Sequence, residues 1–572
     1  MKLQKTLSTL FFILTIVTGS AQLSALEEQS IDSIFIEWNN PNKPGMAAGL
    51  IYGNETQYLK GFGIADIETS RAIDPKTKFQ IDHLSRQFTV LSILLLEKME
   101  KLRMDEPIQN YIPELPVYQH ELTIGHLVNH SSGLNDYEIL KLLLGKEEDD
   151  VFTHKDAMHL ICTQKALNFK PGTKFSYLTS KTELTLLAEV IAKASGESLT
   201  VFSKKNIFNP LQMNNSTFVE DYNSIIPNVA HSYQTDGEAL KKEVLNLSNV
   251  GPTNLYTTAE DLLVWYKKLT LASKQPSILN KAIKQLDLLV KLDNGATYNS
   301  SWGQMTLGRS FYHLERGLPA YWQYGLVGGY GTNVFRFPEQ DLTSFVMGNN
   351  NSYNGMPAMM MAIHFIEDKF PEPNEVDLTK IKSRKVTTSE LQTYEGDYWT
   401  AERAAARRFF VENDTLVYTR PGQDQGLASV PLQQKGSFQL KVESDDVIIF
   451  TFSEENGKQV YDIKSGIGDP YRYKKYEPIT YTAEELNHFK GSFYNEQLNS
   501  VYTFKIEDNT LVVNGPENSM STFSPVVKNV FRSSAIQFGS ITFERNQNGN
   551  VTGFFIRTDG IQNLFFTKIN NS

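Results

Sequence analysis

Two ionisable side chains stand one helical turn apart at the head of an apolar run. They are His83 and Arg86, in Asp82-His83-Leu84-Ser85-Arg86-Gln87-Phe88-Thr89. An imidazole can attack a carbonyl or accept a proton; a guanidinium stays protonated at any ordinary pH and can do neither. A fixed cation one turn away disfavours a second positive charge, so His83 is expected to be largely neutral. Ser85 lies two residues beyond His83, about 200° around a helix, and does not share its side. His126 and His130 are four residues apart and invite comparison with a metal pair. No glutamate follows His126 as in H-E-x-x-H, and no metal is expected there. Cys162 is the one cysteine, which excludes an intramolecular disulfide and a cysteine-rich metal site and reads as a buried small apolar residue. The aromatic-rich stretch Phe311 to Tyr330 reads either as the lining of a pocket for an apolar or sugar-like ligand or as ordinary packing near a sheet edge. No cofactor signature occurs anywhere in the chain.

The elements that must position these groups fall into three zones. From about 28 to 370, helical and strand-like stretches alternate. Phe88 to Met104 predicts a buried helix, being apolar all round in its first half. Thr182 to Ala194 predicts another, ended by Gly196. Asn333 to Asn349 predicts two strands around the turn Pro338-Glu339-Gln340-Asp341. A linker over 371–388 opens with Pro371-Glu372-Pro373. Beyond it, short alternating runs are broken by Asn456-Gly457, Asn548-Gly549 and Asp559-Gly560, the pattern of β-hairpins. This last zone is a tandem repeat. Leu391, Tyr394, Gly396 and Tyr398 recur as Leu486, Phe489, Gly491 and Phe493, and Val411 to Val417 recurs as Ile506 to Val512. Two β modules, 389–476 and 482–572, are expected in place of one large barrel.

Length and composition are consistent with this division. A chain of 572 residues exceeds the ~250–300 at which single cores stop growing. With a formal net charge of -10 it lacks the basic surface that nucleic-acid binding requires. Residues 1–21 carry Lys2 and Lys5, an apolar run from Leu7 to Val17 and small residues to Ala21. This predicts a secretory signal and a periplasmic or secreted protein. No later apolar run is long enough for a membrane span. Oligomeric state is not legible.

Several phrases resemble the serine β-lactamase and penicillin-binding-protein-like superfamily, in its class C branch. Leu122 to Leu134 (LTIGHLVNHSSGL) resembles the phrase TI-x-HLL-x-HTSGL. Phe169 to Tyr177 (FKPGTKFSY) resembles F-x-PG-x-x-F-x-Y, Ile207 to Met213 (IFNPLQM) resembles IF-x-PLGM, and Leu255 to Leu262 (LYTTAEDL) resembles LYSTAEDL. The resemblance implies an α+β fold, an antiparallel sheet flanked by helices with a helical subdomain, over about 28–370, followed by two small all-β domains. It implies chemistry by a serine at the start of a buried helix, a lysine one turn on, a Tyr-x-Asn motif, and a Lys/His-x-Gly strand whose N–H groups help form an oxyanion hole.

Each element is altered here. Matching Gln87-Phe88-Thr89 to the family motif puts His83 at the nucleophile position and Arg86 at the lysine position. Tyr177-Leu178-Thr179 stands for Tyr-x-Asn, so the tyrosine survives and the amide is replaced by Thr179. Leu326-Val327-Gly328-Gly329 stands where H-T-G-G is usual, so the polar wall has become apolar. Loss of a serine nucleophile alone removes roughly 10⁶ in rate where that has been measured. The expectation is therefore a pseudoenzyme that retains a cleft for a small-molecule, peptide or cell-wall-like ligand. The alternative is a hydrolase of β-lactam, D-amino-acid peptide or ester bonds that uses His83 or Tyr177 in an altered role. His83 itself reads as a ligand-binding imidazole or a drifted residue, with no partner base in view.

Overall fold

The computed structural model describes residues 23–569 apart from 148, 177–179, 238, 272–275, 372–380, 421–422, 424 and 443–446. The expected signal segment and most of the linker lie outside the described residues. Among those described, no helix is long and apolar enough to cross a membrane.

The first zone is built on one eight-stranded sheet. Its spatial order is Asn299–Ser300, Gly303–Met305, Phe311–Glu315, Leu318–Val327, Tyr330–Phe337, Leu342–Gly348, Met46–Tyr52 and Glu55–Phe62. Every neighbouring pair is antiparallel. The chain thus returns its N-terminal hairpin beside its last strand, Met46 pairing with Gly348. Helices Ala25–Ile34 and Met356–Ile366 cover one face, where Ile31, Phe35, Met361 and Ile366 meet Leu50, Phe337 and Val346. The other face packs on Ala259–Leu271 and the helical subdomain that carries Arg86–Lys98 and Ser180–Ser195. Strands Tyr330–Phe337 and Leu342–Gly348 are both buried along their whole length, because each faces apolar material on two sides.

The helix expected to reach Met104 stops at Lys98. Glu100 takes a left-handed backbone, φ 57°, which ends a helix without the glycine that would have announced it. Eleven of the helix's thirteen residues, Arg86 to Leu96, are buried, as its all-round apolarity requires. Cys162 is half-buried, a correction to its reading as a buried residue. It ends the short helix His154–Cys162, whose last turn reaches the surface.

Beyond the linker lie two closed barrels of eight antiparallel strands each. The first runs from Gly396–Thr400 to Tyr471–Tyr476 and the second from Gly491–Asn495 to Leu564–Ile569. The first barrel has its own aromatic core around Tyr398, Phe409, Phe450 and Tyr461. The core of the second is continuous with that of the large domain. The Tyr502 hydroxyl donates to the Leu143 carbonyl across that junction. The Asp136 N–H donates to the Gly560 carbonyl at 3.0 Å, and Gln562 N–H donates to Asn168 Oδ1 at 2.7 Å.

Candidate active site

Asp82–Ser85 forms a short 3-10 turn that feeds directly into helix Arg86–Lys98. Opposite it, strand Leu318–Val327 comes unusually close. A Cβ on Gly325 would lie 2.6 Å from the Ile81 carbonyl oxygen and 3.0 Å from the His83 nitrogen. Glycine at 325 therefore sets the distance between the strand and the turn. Two N–H groups, one at the strand's end and one in the turn that follows it, are engaged by side chains. Leu326 N–H donates to Asp82 Oδ2 at 3.1 Å, and Gly329 N–H donates to Ser232 Oγ at 2.8 Å.

His83 does have a partner, contrary to the sequence reading. Its Nε2 lies 3.2 Å from Asp82 Oδ2, while its Nδ1 is buried with no hydrogen-bond partner. Burial holds the imidazole's pKa well below the usual range, and Arg86, Lys181 and Arg309 push in the same direction. The expected neutrality thus holds, but burial outranks Arg86 as its cause. Asp82 adopts a left-handed backbone, φ 38°. Its buried carboxyl is pushed up to about 6 by desolvation, against the pull of Lys181, Arg86 and the Leu326 N–H.

Arg86 is buried and is held by two hydrogen bonds. Its Nη1 donates to Ser180 Oγ at 2.9 Å and its Nε to the Pro252 carbonyl at 3.3 Å. Ser85 is fully buried, and its Oγ accepts from Leu255 N–H at 3.3 Å. Tyr177 and Thr179 lie outside the described residues. Val327 is buried, whereas Leu326 is 56% exposed. Gly328, φ 52°, makes the hairpin turn in which Val327 pairs with Tyr330. The space left beside His83 is small. It is lined by His83, Arg86, Arg309, Phe311 and Tyr324 and holds about 10 Å³, close to the minimum for one water. From the aromatic stretch, Tyr324 sits with its ring centre 5.7 Å from that of His83 and stacks on Trp322 at 5.0 Å.

Sequence reading missed two ionisable pairs near this turn, one half-buried and one fully buried. Lys181, one residue beyond Ser180, is 3.6 Å from Glu138. Burial opposes its charge, but Glu138 and Asp82 outweigh burial and raise its pKa. The two histidines four apart do not converge on a common ligand. His126 caps its own short helix with Thr123 and lies 3.4 Å from Asp293. His130 Nδ1 lies 2.6 Å from Glu183 Oε2, and Ser132 Oγ donates to Glu183 Oε1 at 2.6 Å. Desolvation pushes the Glu183 carboxyl up to about 8, so at neutral pH it carries a proton to donate to His130. Among the described residues no group of three metal-ligating side chains occurs.

Residues 27–362 match the family model described as Beta-lactamase, more than half of the chain. The chain belongs to the beta-lactamase family. Among curated relatives, it is 27% identical over 400 residues to Penicillin-binding protein 4* of Bacillus subtilis, covering 65% of this chain and 82% of that one. It is 26% identical over 223 residues to a D-aminopeptidase of Brucella anthropi, covering 39% and 42% of the two chains. Protein flp of Staphylococcus aureus is 24% identical over 337 residues, 57% of this chain and 64% of that one. The match thus spans less than half of the D-aminopeptidase and just under two thirds of Protein flp. Among solved structures, the octameric penicillin-binding protein homologue from Pyrococcus abyssi aligns with a TM-score of 0.52 at 21% identity, over 79% of this chain and 99% of that one. A penicillin-binding protein from Bacillus halodurans aligns with a TM-score of 0.50 at 20% identity, over 59% and 99%. Both agree with this family's fold.

Proposed function

We propose that this member of the family is an exported, catalytically impaired homologue that keeps a cleft for a peptide-, cell-wall- or ester-like ligand. One observation carries the reading. At the position where the family places a serine hydroxyl stands His83, an imidazole facing about 10 Å³ of space, while the N–H groups of Leu326 in the adjacent strand and of Gly329 in the turn after it are already held by Asp82 and Ser232. An oxyanion hole works by aiming unoccupied donors at the developing charge. Here a carboxylate takes one of them. Arg86, fixed to Ser180 and Pro252, cannot accept the nucleophile's proton. Export rests on the N-terminal pattern from Lys2 to Ala21 and is checked by N-terminal sequencing of protein recovered outside the cytoplasm.

Restoring the motif tests the reading. The double substitution His83→Ser with Arg86→Lys, incubated with a fluorescent penicillin, is expected to form a covalent adduct that the parent does not form. Labelling of the parent to the same extent would overturn it.

A second reading has one observation in its favour, the Asp82–His83 pair. A carboxylate on one imidazole nitrogen orients the ring and fixes which nitrogen carries the proton, as in a general base held by a carboxylate. In that reading the protein hydrolyses an ester or D-amino-acid peptide with His83 as base or nucleophile. Activity would then vanish in both Asp82→Asn and His83→Ala.

A further inference from the structure

A cavity of about 620 Å³ opens at one end of the eight-stranded sheet, within the size range of small-molecule sites. It shares no lining residue with the space beside His83. Three segments line it: the turns after helix Ala25–Ile34, from Glu37 to Met46; the hairpin of Ser232–Asp236 and Ala239–Glu243; and the loop from Gly348 to Asn354. The two ends of that hairpin serve different places. At its base Ser232 pairs with Glu243 and accepts the Gly329 N–H, whereas nearer its tip the paired Thr235 and Leu240 line the cavity.

The walls are tied together before any ligand arrives. Asn349 is fully buried, and its side chain joins all three segments. Its Oδ1 accepts from Gly45 N–H at 2.9 Å, and its Nδ2 donates to the His231 carbonyl at 2.9 Å and the Ile64 carbonyl at 3.1 Å. Tyr233 N–H donates to the Asn349 carbonyl at 3.0 Å, Asn351 N–H returns to the Tyr233 carbonyl at 3.1 Å, and Thr235 N–H donates to Asn351 Oδ1 at 2.7 Å. The run of asparagines from Asn349 to Asn354 thus fixes the shape of the cavity. A preformed site spares a ligand the cost of ordering its walls.

The lining combines flat apolar surface with mixed hydrogen-bonding groups. Tyr353 lies with its ring against the backbone of Gly331 and Gly348, where a Cβ would come within 2.3 and 2.5 Å of ring atoms, so both glycines are needed to seat it. Trp38 packs on the apolar cluster below the sheet and lines the cavity from the other side chain-wise segment. Around these two rings stand the Glu37 carboxylate, the Lys43 ammonium, the Ser352 hydroxyl and the Asn354 amide. Asn354 Oδ1 accepts from Met356 N–H at 3.0 Å, which fixes the amide and leaves its Nδ2 as the donor. An anion entering this cavity meets Glu37, and a cation meets Lys43. A neutral ligand rich in hydroxyls uses both, because each hydroxyl donates and accepts.

We propose that this cavity is a binding site for a neutral saccharide, separate from the space beside His83. A sugar ring has an apolar C–H face that suits Trp38 and Tyr353 and a rim of hydroxyls that suits the carboxylate, ammonium and amide groups around them. The inference does not depend on whether His83 has any catalytic role.

Isothermal titration of the full-length protein tests this, with tri-N-acetylchitotriose in one arm, maltotriose in a second and alanine in a third. Saturable one-to-one binding with Kd below about 5 mM is expected for at least one of the two saccharides. Alanine, a zwitterion whose charges Glu37 and Lys43 could also pair, is expected not to saturate. Trp38→Ala is expected to weaken saccharide binding at least about tenfold through loss of the stacking surface. Because Trp38 also packs in the core, the exposed pair Glu37→Gln with Lys43→Met gives an independent arm in protein of unaltered circular dichroism. It should weaken binding about threefold to tenfold. Absence of saturation by about 20 mM of either saccharide, saturation by alanine alone, or saccharide affinity in the rim double variant equal to that of the parent overturns the proposal.

Discussion

Replacing Glu183 by glutamine should make the large domain more stable as pH rises. In the native protein the buried Glu183 carboxyl titrates near 8, against 4.5 for an unperturbed glutamate. Below pH 4.5 native and unfolded chains both hold the proton, and the group contributes no pH dependence. Between 4.5 and about 8 only the native state holds it, so each pH unit lowers stability by about 1.4 kcal/mol. Above about 8 the effect is complete. By pH 7 the loss is roughly 3 kcal/mol, to be taken as an upper value because His130 shares the site. The glutamine keeps the contacts. Its Oε1 still accepts from the Ser132 N–H and Oγ, and its Nε2 can donate to His130 Nδ1, which the glutamate approaches at 2.6 Å. Parent and Glu183→Gln should therefore unfold at similar urea concentrations near pH 4.5, with the variant gaining up to about 3 kcal/mol by pH 7. Tryptophan fluorescence reports this domain, because Trp38, Trp265, Trp302 and Trp322, four of the chain's five tryptophans, lie in it. A difference independent of pH, or one that favours the parent as pH rises, would refute the reasoning.

Three further outcomes follow from the same geometry. Gly325→Ala places a methyl 2.6 Å from the Ile81 carbonyl and should cost roughly 1–3 kcal/mol, read as a lower urea midpoint together with a shifted His83 imidazole NMR signal. Tyr502→Phe removes the hydroxyl bonded to Leu143 and should cost about 1 kcal/mol; limited proteolysis should then cut between the large domain and the second barrel sooner than in the parent. Arg86→Met removes the second cause of the low His83 pKa but leaves burial, the larger one. An NMR titration should show the His83 pKa moving upward yet staying below 6.5.

How much of this was legible in the sequence differs between fold and site. The family phrases from Leu122 to Leu262 pointed to the sheet-and-helix domain. The recurrence of Tyr398 as Phe493 and Leu416 as Leu511 pointed to two equal β modules, because inward-facing barrel positions tolerate only bulky apolar or aromatic residues. The closure of each module into eight strands was not legible, since strand pairing is long-range and turn signals mark only some of the hairpins. His83, Arg86 and the Leu326-Val327 wall could be located by motif, but their partners could not. Asp82 reaches His83 because of a left-handed backbone at a non-glycine residue, which no local sequence signal announces. Lys181, Glu138, His130 and Glu183 come together only when two helices and a loop pack. Spacing along the chain carries no trace of that.

The central claim is that the frame of a beta-lactamase-family enzyme is present without its reaction. Its most direct test is turnover of a chromogenic cephalosporin and of p-nitrophenyl acetate by the purified protein, measured beside His83→Ala at equal concentration. The account predicts rates equal to those of the variant and close to buffer alone. Turnover by the parent well above background that His83→Ala abolishes would contradict it.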